Sequence, residues 1–410
     1  MTSDRRVRRR RLALPLVAAL IAGLCSAVGV AAASTTAGST RRSARATGPT
    51  VSHVFQIVLE NEEESTSFPN TGTELDQLAA QGVFIPKYYG TGHASADNYI
   101  AMLSGQAQFS STSQDCFNYH NTGGTVDAKG FYHPVTPQDT GCVFPTTVPT
   151  LADQLGAAKR PWRAYMEDMG NTPGRETSSC GQPEAAGLVV NPAVGGTDSA
   201  IFATAADQYA TRHNPFVYFH SLIDKPSGSS SKCAANVLPF SRFATDVAKT
   251  TYAPAYTFIT PNLCDDGHDH GCQGPGAEGA NPGAGGLVSA NAFLAKVVPM
   301  IQASAAYKNH GLIVITFDEG TSTKSCCGES AFSTGGGQVG AILLGPGLHA
   351  HRSNCSYNHF SLLRTWEDAF GLTKAVTGIA GSDGLGHLAH AGDAKVTTLT
   401  REFSATKSPC

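Results

Sequence analysis

Charge is scarce in this chain. Only 15% of its 410 residues are Asp, Glu, Lys or Arg, and the acids outnumber the bases 32 to 29. With 41% hydrophobic residues it is no disordered polyelectrolyte, which combines low hydrophobicity with high net charge. There is no basic excess of the kind that phosphate-backbone binding needs, so nucleic acid is not expected as a partner. The 11 cysteines contain no Cys-x-x-Cys pair, the usual spacing of a zinc–thiolate site. The 44 glycines follow no three-residue period, which excludes collagen. No internal repeat is present. The one long apolar run lies at the N-terminus, which excludes a multi-span membrane protein.

That run has a recognisable design. Arg5, Arg6 and Arg8 to Arg11 precede LALPLVAALIAGLCSAVGV, which ends in Ala31, Ala32 and Ala33. A basic start, an apolar middle and a small-residue end predict a secretory signal over 1–33. A retained anchor is the alternative, disfavoured because small residues dilute the apolar run. The flanks of Arg5-Arg6 suit a twin-arginine signal poorly, and Leu24 before Cys25 speaks against a lipoprotein anchor. Cleavage removes six Arg and one Asp, leaving 23 Lys+Arg against 31 Asp+Glu, a formal charge of −8. Ten cysteines remain in a chain bound for an oxidising compartment, enough for five disulfides. Cys264/Cys272 and Cys116/Cys142 are close enough in sequence to pair, whereas adjacent Cys326 and Cys327 are expected to go to different partners. No transmembrane segment is expected after processing, and the protein is expected to be extracellular.

Residues 34–50 are small, polar and basic, and read as a disordered leader. From Val51 short apolar runs alternate with helical ones. VFQIVL (54–59), VFIPKYYG (83–90), RPWRAYMEDM (160–169), PFVYFHSL (215–222), AYTFIT (255–260), GLIVITF (311–317) and VGAILLGPG (339–347) read as strands. Helices are predicted from Ser95, over LADQLGAA (151–158), FSRFATDVA (240–248) and 287–304, and over FSLLRTWEDAFG (360–371), ending at Gly371. Residues 106–148 read as a disulfide-tied excursion. Strands that are apolar throughout fit a mostly parallel sheet covered on both faces, a doubly wound α/β domain over 51–375, with a tail over 376–410. No role is assigned to His387 or His390.

In such sheets ligands bind beyond the carboxyl ends of the strands. After VFQIVL stand Glu60 and Asn61. After VFIPKYYGTG come His93, Ser95 and Asn98 at a helix start. After AYTFIT come Asn262, Asp265, Asp266, His268 and Asp269. After GLIVITF come Asp318 and Glu319. Carboxylate and amide oxygens suit a hard divalent cation. A serine at a helix N-terminus sits where free N–H groups favour a phosphate. Each group also has a plain reading: Glu60-Asn61 and Asp318-Glu319 as turns, Ser95 as a helix cap in the frame SADN. Their joint placement at four strand ends argues for a site.

The run GTGHASADNYIAMLSG (90–105) resembles the His-Pro-Ser-x-Pro-Asn-Tyr segment of the bacterial and fungal phosphoesterase family, which holds secreted acid phosphatases and phospholipase C enzymes. VFQIVLEN, RHNPFVYF (212–219), FITPNLCDDGHD (258–269), IVITFDEG (313–320) and NHFSLLRTWEDAFGL (358–372) resemble its other blocks, in family order. The nearest resemblance is to secreted acid phosphatases acting on phosphoinositides. It implies an alkaline-phosphatase-like fold and a phosphomonoesterase acting on a small-molecule or lipid phosphate ester. Ser95 matches the nucleophile that becomes phosphorylated, and Asn98 the residue that binds phosphoryl oxygens. Glu60, Asn61, Asp318 and Glu319 match metal ligands, with Ser95 completing the shell of one divalent cation, Ca, Mg or Mn. His213, His268 and His359 match imidazoles near the phosphate, with His268 as the acid for the leaving group. Ala94 and Asp97 stand where the family has proline. The frame after Ser95 does not suit a sulfatase.

Only one metal shell is visible, since Asn262 stands where a second-site acid is expected. Protonated histidines are therefore expected to replace a second metal and to give an acidic pH optimum. A phospholipase C-type phosphodiesterase would share these residues. A non-enzymatic secreted binding protein is the third reading.

Overall fold

The computed structural model describes residues 51–135, 140–227, 229–268, 270–329, 333–372, 381–403 and 410. The signal and leader expected over 1–50 lie outside them.

Eight strands form one sheet. In chain order they are β1 (His53–Leu59), β2 (Val83–Ile85), β3 (Trp162–Met166), β4 (Val237–Pro239), β5 (Tyr256–Thr260), β6 (Gly311–Phe317), β7 (Ala341–Leu344) and β8 (His351–Arg352). Across the sheet the order is β8-β2-β7-β6-β1-β5-β3-β4. The run from β6 to β4 is parallel, and β7 alone runs antiparallel to both its neighbours. All seven residues of β6 are buried, as are Val54 to Leu59 of β1. Both faces of these central strands are therefore covered, which is why they read as unbroken apolar runs. The expected doubly wound, mostly parallel α/β architecture is present.

The helices that cover the sheet are α1 (Glu74–Gln81), α2 (Ser95–Ser104), α3 (Leu151–Ala157), α4 (Gly286–Ala303) and α5 (His359–Phe370). Thr73 with Asp76 and Thr150 with Asp153 form capping boxes on α1 and α3, satisfying orphan N–H groups. Asn358 caps α5, and Gly371 ends it at φ 67°, a left-handed conformation glycine adopts without strain. The length and apolarity of α4 would suit a membrane span, but Phe293, Leu294, Val297, Val298 and Ile301 are buried in the domain core.

Three expectations are corrected. PFVYFHSL is not a strand: Pro215–Tyr218 is a 3₁₀ turn and His220–Ile223 a helical turn. Pro215 fixes a helical φ and the Asn214 side chain accepts from Phe216 N, so the apolar run is buried as turns. Cys326 and Cys327 pair with each other. The other eight cysteines among the described residues pair as 116–142, 180–233, 264–272 and 355–410, which leaves these two, among the described residues, only one another. The segment 381–403 is no loose tail, since Leu388, Leu399 and Phe403 join the main core.

Candidate active site

The carboxyl ends of β1 and β6 lie side by side, because Leu59 pairs with Phe317. Glu60 and Asp318, the next residues on each strand, are both fully buried. The Asn61 amide N–H donates to Asp318 Oδ1 at 3.1 Å. Asn61 takes a left-handed backbone (φ 50°), which asparagine tolerates better than most residues. The end of its side chain lies 3.0 Å from Glu60 Oε2 and 3.1 Å from Asp318 Oδ1. With nitrogen there, the amide donates to both carboxylates; with oxygen there, three acceptors face one another.

Ser95 enters from α2. It is the first helical residue, not the cap: Ala94 holds the cap position and no side chain caps this helix. Ser95 Oγ is thereby free to donate to Glu60 Oε2, at 2.8 Å. One turn on, Tyr99 donates its hydroxyl to Glu60 Oε1 at 2.6 Å. The 3.6-residue period puts Ser95 and Tyr99 on one face of α2, so the two clamp both oxygens of one carboxylate. Spacing from Ser95 is the signal that finds Tyr99, which strand-end reasoning passes over.

The loop before α2 is held by Asn98. Its carbonyl accepts from Thr91 N, Thr91 Oγ1 and Gly92 N, and its amide donates to the carbonyls of Gly92 and Ala94. Both N–H bonds are used, so Asn98 positions Ser95 and has no donor left for a phosphoryl oxygen. Gly90 allows the loop to approach the strand end: a Cβ there would stand 2.7 Å from the Asp318 carbonyl.

The histidines are divided. His213 stacks on Tyr99, with ring centroids 5.3 Å apart. Its Nε2 lies 3.4 Å from Glu60 Oε2 and its Nδ1 3.9 Å from Asp266 Oδ2. Burial, reinforced by Arg212 and His268, pushes its pKa well below the ordinary imidazole value. His359 turns Nε2 to the Asp318 carbonyl, which can only accept, so Nε2 carries the proton. Its Nδ1 is left to accept from Tyr88 Oη at 3.1 Å. Burial brings its pKa down to about 4. His359 thus has both ring nitrogens engaged, by the Asp318 carbonyl and Tyr88, where the resemblance implied an imidazole near the phosphate. His268 is exposed, within 3.4 Å of the other terminal atom of the Asn61 side chain, and its backbone N–H is held by Asp266 Oδ1. Glu319 is engaged by His93 at 2.9 Å.

Burial, with Asp318 and Asp266 nearby, raises the Glu60 pKa well above the carboxylate range. Burial and Glu319 do the same for Asp318. Two carboxylates this close cannot both stay charged without a proton or a cation between them. Among the described residues no three His, Cys, Asp or Glu side chains gather into a metal site. The donors here are Glu60, Asp318, the Asn61 amide and the Ser95 hydroxyl. Asp318 Oδ2 is buried with no hydrogen-bond partner among the described residues, so the site has an oxygen to spare for a hard divalent cation.

The model of the Phosphoesterase family matches residues 66–373, beginning just after Glu60 and Asn61. An acid phosphatase of Aspergillus fumigatus is 24% identical over 330 residues, 79% of this chain and 56% of its own length. A phosphate-repressible acid phosphatase of Penicillium chrysogenum is 22% identical, over 75% of this chain and 57% of its own. The chain thus spans just over half the length of these fungal relatives. A phosphatidylinositol-3-phosphatase of Mycobacterium tuberculosis is 24% identical over 80% of this chain and 79% of its own. A solved structure of an alkaline phosphatase superfamily protein from Vibrio parahaemolyticus aligns with 81% of this chain and 70% of its own, at 9% identity and a TM-score of 0.45. Since the family model covers most of the chain, from α1 to the end of α5, the chain belongs to the Phosphoesterase family.

Proposed function

We propose that this protein is a secreted, metal-dependent acid phosphatase that hydrolyses phosphate monoesters through a phosphoserine at Ser95. The observation that carries this is the Ser95 hydroxyl at an uncapped helix start, donating to a carboxylate that faces a second carboxylate and an amide. Five disulfides suit an oxidising compartment.

Glu60, Asn61, Asp318 and Ser95 would hold the cation; Glu319, bound to His93, would reach it only on leaving that partner. A divalent cation supplies positive charge that offsets that of the phosphate and acidifies a nearby hydroxyl. Ser95 Oγ bonds to phosphorus as the bond from phosphorus to the ester oxygen breaks. The serine proton leaves to Glu60 Oε2, its hydrogen-bond acceptor. Exposed His268 gives a proton to the departing alkoxide at the open side of the site. Water then cleaves the phosphoserine, returning Ser95 and inorganic phosphate.

The test is intact mass after brief exposure to p-nitrophenyl phosphate at pH 5. One phosphate is expected on the wild type, mapped to Ser95, and none on Ser95→Ala. Turnover by Ser95→Ala at the wild-type rate would refute the nucleophile.

A further inference from the structure

The groups that surround Ser95 are poor in positive charge. Glu60, Asp318, Asp266 and Glu319 are acids, and all four are buried. A phosphate ester brings more negative charge to the same place. Arg212, outside the proposed ligand set, is linked through Asp115 to the start of α2.

Arg212 lies in the 3₁₀ turn Thr211–His213, next to the histidine that touches Glu60. Its Nε is 3.9 Å from Asp115 Oδ2. Asp115 in turn accepts, through Oδ1, from the backbone N–H of Ala96 at 3.0 Å, one residue beyond Ser95. Asp115 therefore ties the guanidinium to the start of α2. One terminal nitrogen of Arg212 donates to the Ile201 carbonyl. The other has no protein partner among the described residues, and the side chain is 14% exposed. Asp115 and Cys116 both adopt left-handed backbones, φ 56° and 57°, and the Cys116–Cys142 disulfide anchors that strained turn. The other paired arginines among the described residues serve elsewhere: Arg175 binds Glu176 and Asp207, Arg242 binds Asp246, Arg352 binds Glu64, Arg364 binds Asp383 and Arg401 binds Glu402.

We propose that Arg212, aimed by Asp115, binds the non-ester oxygens of the substrate phosphate and sets a preference for dianionic monoesters over monoanionic diesters. The inference rests on the phosphatase reading and adds its selectivity. A planar guanidinium with Nε and one terminal nitrogen engaged presents its remaining N–H groups as a fixed donor edge. Above a second pKa of about 6 a phosphate monoester carries nearly two charges, whereas a diester carries one. Such a donor edge therefore gains more from the monoester.

The experiment compares wild type, Arg212→Gln, Arg212→Lys and Asp115→Asn, metal-supplemented, at pH 7. Rates are measured on p-nitrophenyl phosphate and bis(p-nitrophenyl) phosphate, and the melting shift caused by inorganic phosphate is read alongside. Losing a charged hydrogen bond predicts that Arg212→Gln loses roughly 10- to 100-fold in kcat/KM on the monoester and several-fold less on the diester. Its phosphate-induced melting shift disappears, Arg212→Lys keeps part of both effects, and Asp115→Asn raises KM more than it lowers kcat. Equal losses on the two substrates, or an unchanged phosphate shift in Arg212→Gln, overturn the inference while leaving the phosphatase reading intact. A wild type that hydrolyses neither ester defeats that reading instead, and the phosphate shift then decides on Arg212 alone. Should Arg212→Gln melt before assay, Arg212→Lys and Asp115→Asn carry the same comparison.

Discussion

At the level of single side chains, the question is which atoms are already committed. Glu60, Asn61, Ser95 and Asp318 could be read from the sequence because each follows an apolar run whose end marks a ligand-binding edge. Their convergence around one set of facing oxygens follows from the Leu59–Phe317 register. Asn98 and His359 were legible as positions but not as roles. Nothing in a sequence tells that the Asn98 amide is spent on Thr91, Gly92 and Ala94, or that His359 serves the Asp318 carbonyl. Burial pushes the pKa of His213 well down and that of His359 to about 4, which disfavours the charged histidines that the expected acidic optimum invokes. Tyr99 tests the clamp on Glu60. Tyr99→Phe deletes a charged hydrogen bond worth about 1.5–3 kcal/mol and leaves the ring that stacks on His213. Activity on p-nitrophenyl phosphate is expected to fall about tenfold or more, with the melting temperature lowered by a few degrees. An unaltered kcat/KM would remove Tyr99 from the site.

Among the elements, long periodic or fully apolar segments were legible and short aromatic ones were not. β1, β5, β6, α4 and α5 stand within a residue or two of where their patterns put them. PFVYFHSL misled because an apolar run too short to show a period is equally a buried turn, and Pro215 with Asn214 decides the matter locally. The packing of 381–403 onto α5 was invisible because it depends on partners rather than pattern. There Glu367, fully buried on α5, accepts from Gln154 Nε2 and Leu388 N. Burial raises its pKa to about 7, from an ordinary value near 4.5. The folded state binds the proton more tightly than the unfolded, so stability is lost as pH rises between those two values. At about 1.4 kcal/mol per unit the loss is on the order of 3 kcal/mol. Glu367→Gln, neutral at every pH, is expected to melt higher than wild type at pH 8 and to show a flatter melting profile from pH 4 to 8. A melting profile parallel to wild type would contradict this.

For the molecule as a whole, the same sign applies more strongly at the site. Glu60 and Asp318 both have raised pKa values, so without a cation their mutual repulsion grows as pH rises above the ordinary carboxylate range. A chelator is therefore expected to lower the melting temperature markedly at pH 8 and little at pH 4.5, and adding Ca, Mg or Mn should reverse the drop. A chelator effect that is absent at both pH values would count against a resident cation.

β1 is made first yet sits between β5 and β6, whose residues follow some two hundred positions later. Until those strands exist, a nascent chain holds an apolar ribbon with both hydrogen-bonding edges open, a template for wrong pairing. The first strand thus stays open to wrong pairing until the far half of the polypeptide arrives.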